Sequence, residues 1–163
     1  MKEIILTQGK VALVDDEDFE RLSQFKWCAS REKKHWYATR NVIVPNGKRG
    51  KIRMHREIMS APKDVQVDHR NNAGLDNCKE NLRLATNQQN GFNRNDCNKN
   101  NSLGIKGVSW NRNVKKFRAT ISVNGKDIHL GYFNVLGDAD SAYRIAEVKY
   151  FGEFARNTTY LIN

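Results

Sequence analysis

Residues 65–94 read VQVDHRNNAGLDNCKENLRLATNQQNGFNR, and the reading of this stretch decides the fold. Val65 and Val67 alternate with Gln66 and Asp68, so a short strand delivers His69 to its end. Leu82 and Leu84 supply a return strand, and a helix starts near Thr86-Asn87, with a polar loop between the two strands. Two strands and a helix make a rigid clamp for side chains placed on them. Three features stand out: the Asp68-His69 pair closing the first strand, Asn81 twelve residues after the histidine, and Asn90 nine residues further on. An imidazole with its ordinary pKa of ~6.5 is largely neutral at working pH, which suits His69 to accepting a proton. Asp68 and Asn90 offer a carboxylate and an amide oxygen, a hard, oxygen-only pair.

Outward from this stretch, the whole chain of 163 residues has room for one domain or two small modules, which excludes a large multidomain enzyme. Lys and Arg number 28 against 18 Asp and Glu, a net charge of +10, and only 39% of residues are hydrophobic. With a pI near 9.7, such a surface points to a polyanionic partner, nucleic acid above all. No apolar run approaches the ~20 residues needed to span a bilayer, and the start, MKEIILTQGK, lacks a signal-peptide core. The expectation is a soluble protein of the cell interior, cytoplasmic and associated with the nucleoid, with no membrane partner. Cys28, Cys78 and Cys97 are odd in number and too widely spaced for a CxxC pair. They imply reduced thiols, with neither a disulfide framework nor a zinc ribbon.

Residues 1–64 carry 14 basic and 9 acidic side chains and read as a β-rich support segment. Apolar runs at Ile4-Ile5-Leu6 and Val11–Val14 are broken at Gln8-Gly9. The acidic Asp15-Asp16-Glu17-Asp18 then opens a short helix with Phe19 and Leu22 on one side. Strands around Trp36–Thr39 and Lys51–Arg53 flank the turn signal Pro45-Asn46-Gly47. The segment either buttresses the clamp or grips a polyanion with a basic hairpin of Lys48, Arg49, Lys51 and Arg53. His55 belongs to a supporting helix and His35 to an exposed strand end, neither with a spaced partner. In NGFNRNDCNKNN, residues 90–101, six of twelve positions are Asn, which places a linker at 95–103.

The third segment, 104–157, has the clearest periodicity in the chain. Phe117, Ala119, Ile121 and Val123 alternate with Arg118, Thr120, Ser122 and Asn124, a half-buried strand. Asn124-Gly125 turns it into a second strand, in which Ile128 and Leu130 alternate with Asp127 and His129. A short strand at Val108–Trp110 precedes them. Ala139, Ala142, Tyr143, Ala146 and Tyr150 recur at helical spacing, so one helix covers the apolar face and leaves the other face polar and open. Trp110 and Tyr143 read as core. The fold class is therefore α+β: a β-rich N-terminal segment, a strand–strand–helix module at 65–94, and a three-stranded antiparallel sheet packed on one helix.

The Asp68-His69 pair, the Asn81-Leu82-Arg83 step and Asn90 resemble the motif of the HNH endonucleases, with their ββα-metal fold. The motif's name implies a final histidine where this chain has Asn90, a variation found among phage and intron-encoded members. The resemblance implies a DNA endonuclease that hydrolyses phosphodiester bonds, with His69 deprotonating water, Asp68 and Asn90 as metal ligands, and Asn81 holding the loop and the base in register. The oxygen pair favours Mg²⁺, with Mn²⁺ as the other possibility, over zinc or nickel. The preceding TQGKVALVDDEDFERLSQFKW is similar to the segment before the motif in phage-type homing members of the family.

Residues 106–155 resemble the Apetala/ethylene-response-factor DNA-binding domain, on Gly107-Val108, Phe117–Ile121, Leu130-Gly131-Tyr132-Phe133 and the helix ending in Phe151-Gly152. In that family the sheet lies in the major groove of double-stranded DNA. The contacts implied here are Ser109, Asn111 or Arg112, then Arg118, Thr120 and Ser122, then Asp127 and His129. Lys115, Lys116 and Arg118 suit phosphates, which position a protein without reading sequence. The combined resemblance implies a nicking enzyme, a monomer or weak dimer on DNA, that cuts near a site read by this sheet. The alternative is a DNA-binding regulator that keeps the clamp as an inactive scaffold.

Overall fold

The computed structural model describes residues 1–45, 47–93 and 101–155 and divides the chain into two compact units, Met1–Asn90 and Gly91–Asn163. The division falls ahead of the linker expected at 95–103. Residues 95–100, Cys97 among them, lie outside the described residues, as do Asn46 of the expected turn and residues 156–157 of the third segment. Asn101 is bonded into the second unit, its Nδ2 donating to Ile105 O at 2.5 Å and to Val108 O at 3.2 Å. Among the described residues no helix is long and apolar enough to cross a membrane.

The first unit opens with the hairpin β1 (Lys2–Ile5) and β2 (Val11–Val14), followed by α1 (Asp16–Ser23), whose first turn carries Asp16, Glu17 and Asp18 against the positive end of the helix dipole. A three-stranded antiparallel sheet follows, β3 (Cys28–Glu32), β4 (His35–Ile43) and β5 (Arg49–Arg53), with β4 central. Next come α2 (Met54–Ile58), the antiparallel pair β6 (Gln66–His69) and β7 (Leu82–Ala85), and α3 (Asn87–Phe92), whose last two residues belong to the second unit. One apolar cluster joins these pieces, with Ala12, Val14, Leu22, Trp27, Met54, Val67 and Leu82 all buried. Trp27 buries its ring and still satisfies Nε1, which donates to Leu22 O at 2.9 Å.

The second unit orders β8 (Val108–Asn111), β9 (Lys116–Val123) and β10 (Lys126–Phe133) around a central β9, with α4 (Leu136–Phe151) on one face. Asn124 and Gly125 both have positive φ, 51° and 76°, the geometry a two-residue hairpin needs. Val108, Ala119 and Ile121 are buried on the helix side with Ala139, Tyr143 and Ala146. Trp110, expected in the core, is 46% exposed. It sits next to the β8–β9 turn and packs edge-on against Phe117, its cross-strand partner, at 4.8 Å. Tyr150 is likewise exposed, and Phe151, one residue on, takes the buried place and stacks on Phe92 at 3.8 Å.

Gly107 enters β8 at φ +74°, and a Cβ there would lie 1.9 Å from the Tyr143 ring and 2.8 Å from Thr120 O. Gly107→Ala is expected to cost at least about 2 kcal/mol, from overpacking and positive φ together. Gly125→Ala meets nothing within 4 Å and should cost less. Thermal melts of the two variants, with hydrogen exchange on β8–β10, check the difference.

Candidate active site

Strand β6 places successive side chains on opposite faces, so Asp68 and His69 leave the same strand in different directions. Asp68 stands across from Arg83 in register, and both are buried, each side chain 6% exposed. Arg83 donates from Nε and Nη2 to Asp68 Oδ2, at 2.9 and 2.6 Å. His69, opposite Leu82, turns to the other face and is 6% exposed. Its Nε2 lies 3.4 Å from Asn77 Oδ1, and its ring meets that of His55 edge-on at 4.9 Å and that of Tyr37 at 6.0 Å.

Residues 70–81 connect the two strands, and two asparagines fix their course. Asn81 Oδ1 accepts from the Asn71 N–H at 3.0 Å, its Nδ2 donates to Asp76 O at 2.8 Å, and its own carbonyl accepts from Arg70 N–H at 2.8 Å. Asn77 is fully buried and donates from Nδ2 to Leu75 O at 3.1 Å. The outer edge of β2 takes the loop as a partner: Leu13 N–H donates to Leu75 O at 2.9 Å, and Asn77 N–H to Leu13 O at 2.8 Å. Lys79 N–H donates to Asp15 Oδ2 at 2.7 Å. The N-terminal segment thus holds the loop whose Asn77 meets the His69 ring. Gly74 lets the loop pass β4, since a Cβ there would meet Trp36 O at 2.4 Å and the Tyr37 ring at 2.7 Å.

The helix that bears Asn90 begins where its sequence demands. Gln89 N–H donates to Thr86 Oγ1 at 3.2 Å and Thr86 N–H donates to Gln89 Oε1 at 2.8 Å, a reciprocal cap. Asn90 N–H then bonds Thr86 O at 3.0 Å, and its side chain, half-buried on α3, makes no hydrogen bond to Asp68 among the described residues. The structure therefore ties His69 and Asn81 to one loop, pairs Asp68 with Arg83, and leaves Asn90 on a separate element. Among the described residues no group of three His, Cys, Asp or Glu side chains is placed to hold a metal ion. The donor chemistry of Asp68 and Asn90 fits an ion that takes one or two protein oxygens and keeps its waters. Arg83 donates twice to Oδ2 of that aspartate.

Burial sets the protonation of the histidines. It holds His69 below its ordinary pKa, the Asn77 contact and the charges of Asp68 and Asp76 opposing it. Burial also drives His55 down to about 3, with the neighbouring His69, Arg53 and Arg56 pushing the same way. Sequence reading had placed His55 on a supporting helix, and α2 does support; it also sets the imidazole against His69, with Nδ1 buried and without a hydrogen-bond partner among the described residues. Sequence pattern alone gives no role to Asn77 or to Arg83. Arg83 was within reach of the sequence, because a hairpin register that pairs His69 with Leu82 puts Asp68 opposite Arg83.

In the second unit the polar face carries most of the expected residues. Register sets Ser109 and Tyr132 beside Arg118, His129 beside Thr120, and Asp127 beside Ser122, whose hydroxyl bonds the aspartate. Arg112 and Lys115 lie in the exposed β8–β9 turn, with Asn111 and Lys116 paired across its base. Tyr132 is the residue sequence reading missed: 44% exposed, its ring is 4.6 Å from that of His129 and its hydroxyl accepts from Asn111 Nδ2 at 3.5 Å.

Comparison with known proteins adds two relatives. An uncharacterized HNH endonuclease of Acanthamoeba polyphaga mimivirus is 31% identical over 154 residues, covering 91% of this chain and 74% of its own length. Protein 3.8 of Escherichia phage T7 is 30% identical over 109 residues, 64% of this chain and 88% of its own. No protein-family model and no solved structure matches the chain.

Two outcomes follow from the buried polar groups. Because folded His55 stays neutral down to about pH 3 while an unfolded histidine takes up a proton near pH 6.5, stability should be level above pH 6.5 and fall below it. The slope contributed by His55 should approach about 1.4 kcal/mol per pH unit, and urea unfolding from pH 7.5 to 5 should show it, with a shallower slope in His55→Phe. Asn77→Ala removes the bonds that the buried Asn77 side chain makes to the Leu75 carbonyl and to His69 Nε2, so a loss of about 1–3 kcal/mol is expected in the same assay.

Proposed function

The chain belongs to the HNH endonuclease family, and on that premise we propose that it is a metal-dependent DNA endonuclease of the homing type. The observation that carries the reading is the placement of His69, a neutral imidazole at a strand end, fixed by a buried amide from a loop that is itself clamped. Asn77 gives its Nδ2 to the Leu75 carbonyl, so Oδ1 faces His69 Nε2. That contact calls for the proton on Nε2 and the lone pair on Nδ1, where it can take a proton from water. Tyr37 and His55 pack around the ring and limit its hydration, which keeps the base uncharged. Asn81 acts through the loop, holding the course of residues 70–81 and with it the histidine.

Asp68 and Asn90 are the residues that would hold Mg²⁺ or Mn²⁺ in a ββα-metal arrangement, with Arg83 orienting the carboxylate from its other side. Such an ion, when bound, stabilises charge on the phosphate and on the departing 3′ oxygen. The polar face of β8–β10, with Arg118, Thr120, Ser122, His129 and the lysines of the β8–β9 turn, is the DNA-reading surface on this account, in keeping with an Apetala-like domain. Its Ser, Thr and His side chains make fewer bidentate base contacts than arginines would, so phosphate contacts should dominate. A single centre per chain nicks one strand, and a double-strand cut needs two chains or two events.

A regulator that binds DNA without cutting it is the second reading, favoured by the Arg83 bonds that already engage Asp68. Turnover separates the two. His69→Ala is expected to lower the single-turnover cleavage rate by about 10²–10⁴ while a gel shift in EDTA shows DNA affinity unchanged. Equal loss of binding and cutting would remove His69 from the role of base.

A further inference from the structure

The sheet β3–β4–β5 has an unassigned cationic pocket. It encloses about 390 Å³ and is lined by Glu32 of β3, Thr39 of β4, Lys51, Ile52 and Arg53 of β5, and Arg56 of α2. Three cations thus face one carboxylate. Arg56 is held by neutral groups, donating to Val65 O at 2.7 Å, Pro62 O at 2.6 Å and Ala61 O at 3.2 Å, so its charge is fixed in place without being cancelled. Lys51 is exposed and has no acidic partner among the described residues. Arg53 bonds both oxygens of Glu32 from Nη2, at 2.7 and 2.8 Å, but the two side chains are 40% and 45% exposed. An ion pair that open to water is weak and easily exchanged for another anion.

The pocket's position relative to His69 gives it a meaning. The Arg53 guanidinium lies 5.4 Å over the ring of Tyr37, and the Tyr37 ring is 6.0 Å from that of His69. One tyrosine therefore separates the two groups, and the guanidinium stands within about 11.4 Å of the His69 ring. Along one DNA strand a phosphate recurs every ~3.4 Å of helix axis, so a backbone whose scissile phosphate lies at His69 brings another to the pocket within roughly three nucleotides.

We propose that this pocket binds a backbone phosphate of duplex DNA next to the one that is cut, with Lys51 and Arg53 as the direct donors and Arg56 as a fixed positive charge behind them. Glu32 occupies Arg53 in the free protein and gives it up to the phosphate. The inference rests on the endonuclease reading and assigns a substrate-positioning task to the N-terminal segment, in addition to its support of the loop.

The test is the salt dependence of DNA binding by the full chain, measured in EDTA on one duplex between about 50 and 200 mM salt. Lys51→Gln and Arg53→Gln should each reduce the slope of log affinity against log salt by about 1, and Arg53→Lys should restore it. Glu32→Gln should tighten binding, because it removes a competing anion. Unchanged slopes in Lys51→Gln and Arg53→Gln overturn the proposal, as does weaker binding in Glu32→Gln, which would make the Glu32–Arg53 pair a structural bracket. Should Arg53→Gln fail to fold, Lys51→Gln decides, since its side chain lies in solvent. Plasmid cleavage by the unaltered protein in Mg²⁺ runs alongside: cleavage with unchanged slopes refutes the pocket alone, and altered slopes without cleavage refute the nuclease reading and leave a DNA contact.

Discussion

Asn77 is fully buried, and three of its bonding groups point to three parts of the first unit. The backbone N–H holds the edge of β2 at Leu13 O, Nδ2 holds Leu75 O within its own loop, and Oδ1 faces the ring of His69. A buried amide left unmatched costs about 1–3 kcal/mol, so each of these contacts constrains the others. The loop cannot drift from β2 without stranding Asn77, and Asn77 cannot turn without losing His69. Ordering a polar loop of this length is costly in entropy, and the chain offsets that cost with Asn81 at one end, the β2 edge in the middle and Asp15 at Lys79.

The same unit buries two further polar pairs, and they differ in kind. Asp68 and Arg83 carry opposite charges with two hydrogen bonds, so their removal from water is compensated by partner and geometry. His55 and His69 share an edge-on contact, and burial holds both imidazoles below their ordinary pKa. A fixed ion pair on one face of β6 and an uncharged base on the other follow from the strand's alternation, which sends adjacent side chains to opposite sides. In the proposed reaction, proton acceptance by His69 and oxygen donation by Asp68 would thereby be kept apart on neighbouring residues.

Local pattern made much of this visible. The alternation of Phe117–Val123, the Asn124-Gly125 turn and the Val65–Asp68 strand each depend on neighbours in sequence, and each formed. The closeness of His69 and Asn81 was legible too, because both belong to one β-hairpin. What escaped depends on distant pairing. Strand β3, CASRE, has no apolar alternation and is a strand because β4 supplies its hydrogen bonds from Thr39 to His35. His55 meets His69 only once α2 is docked on the hairpin, and Asn77 earns its role only when β2 presents an open edge. Trp110 shows the opposite failure: core periodicity holds along the strand, but burial there requires cover, and Trp110 remains 46% exposed beside the turn.

The central claim is that His69, positioned in this way, cuts DNA. Conversion of supercoiled plasmid by the purified chain, with Mg²⁺ and with EDTA, tests it most directly. The account predicts relaxed circles that appear with Mg²⁺ and not with EDTA. Plasmid that stays supercoiled in Mg²⁺ while a gel shift shows it bound would contradict the account and leave a DNA-binding protein built on a silent scaffold.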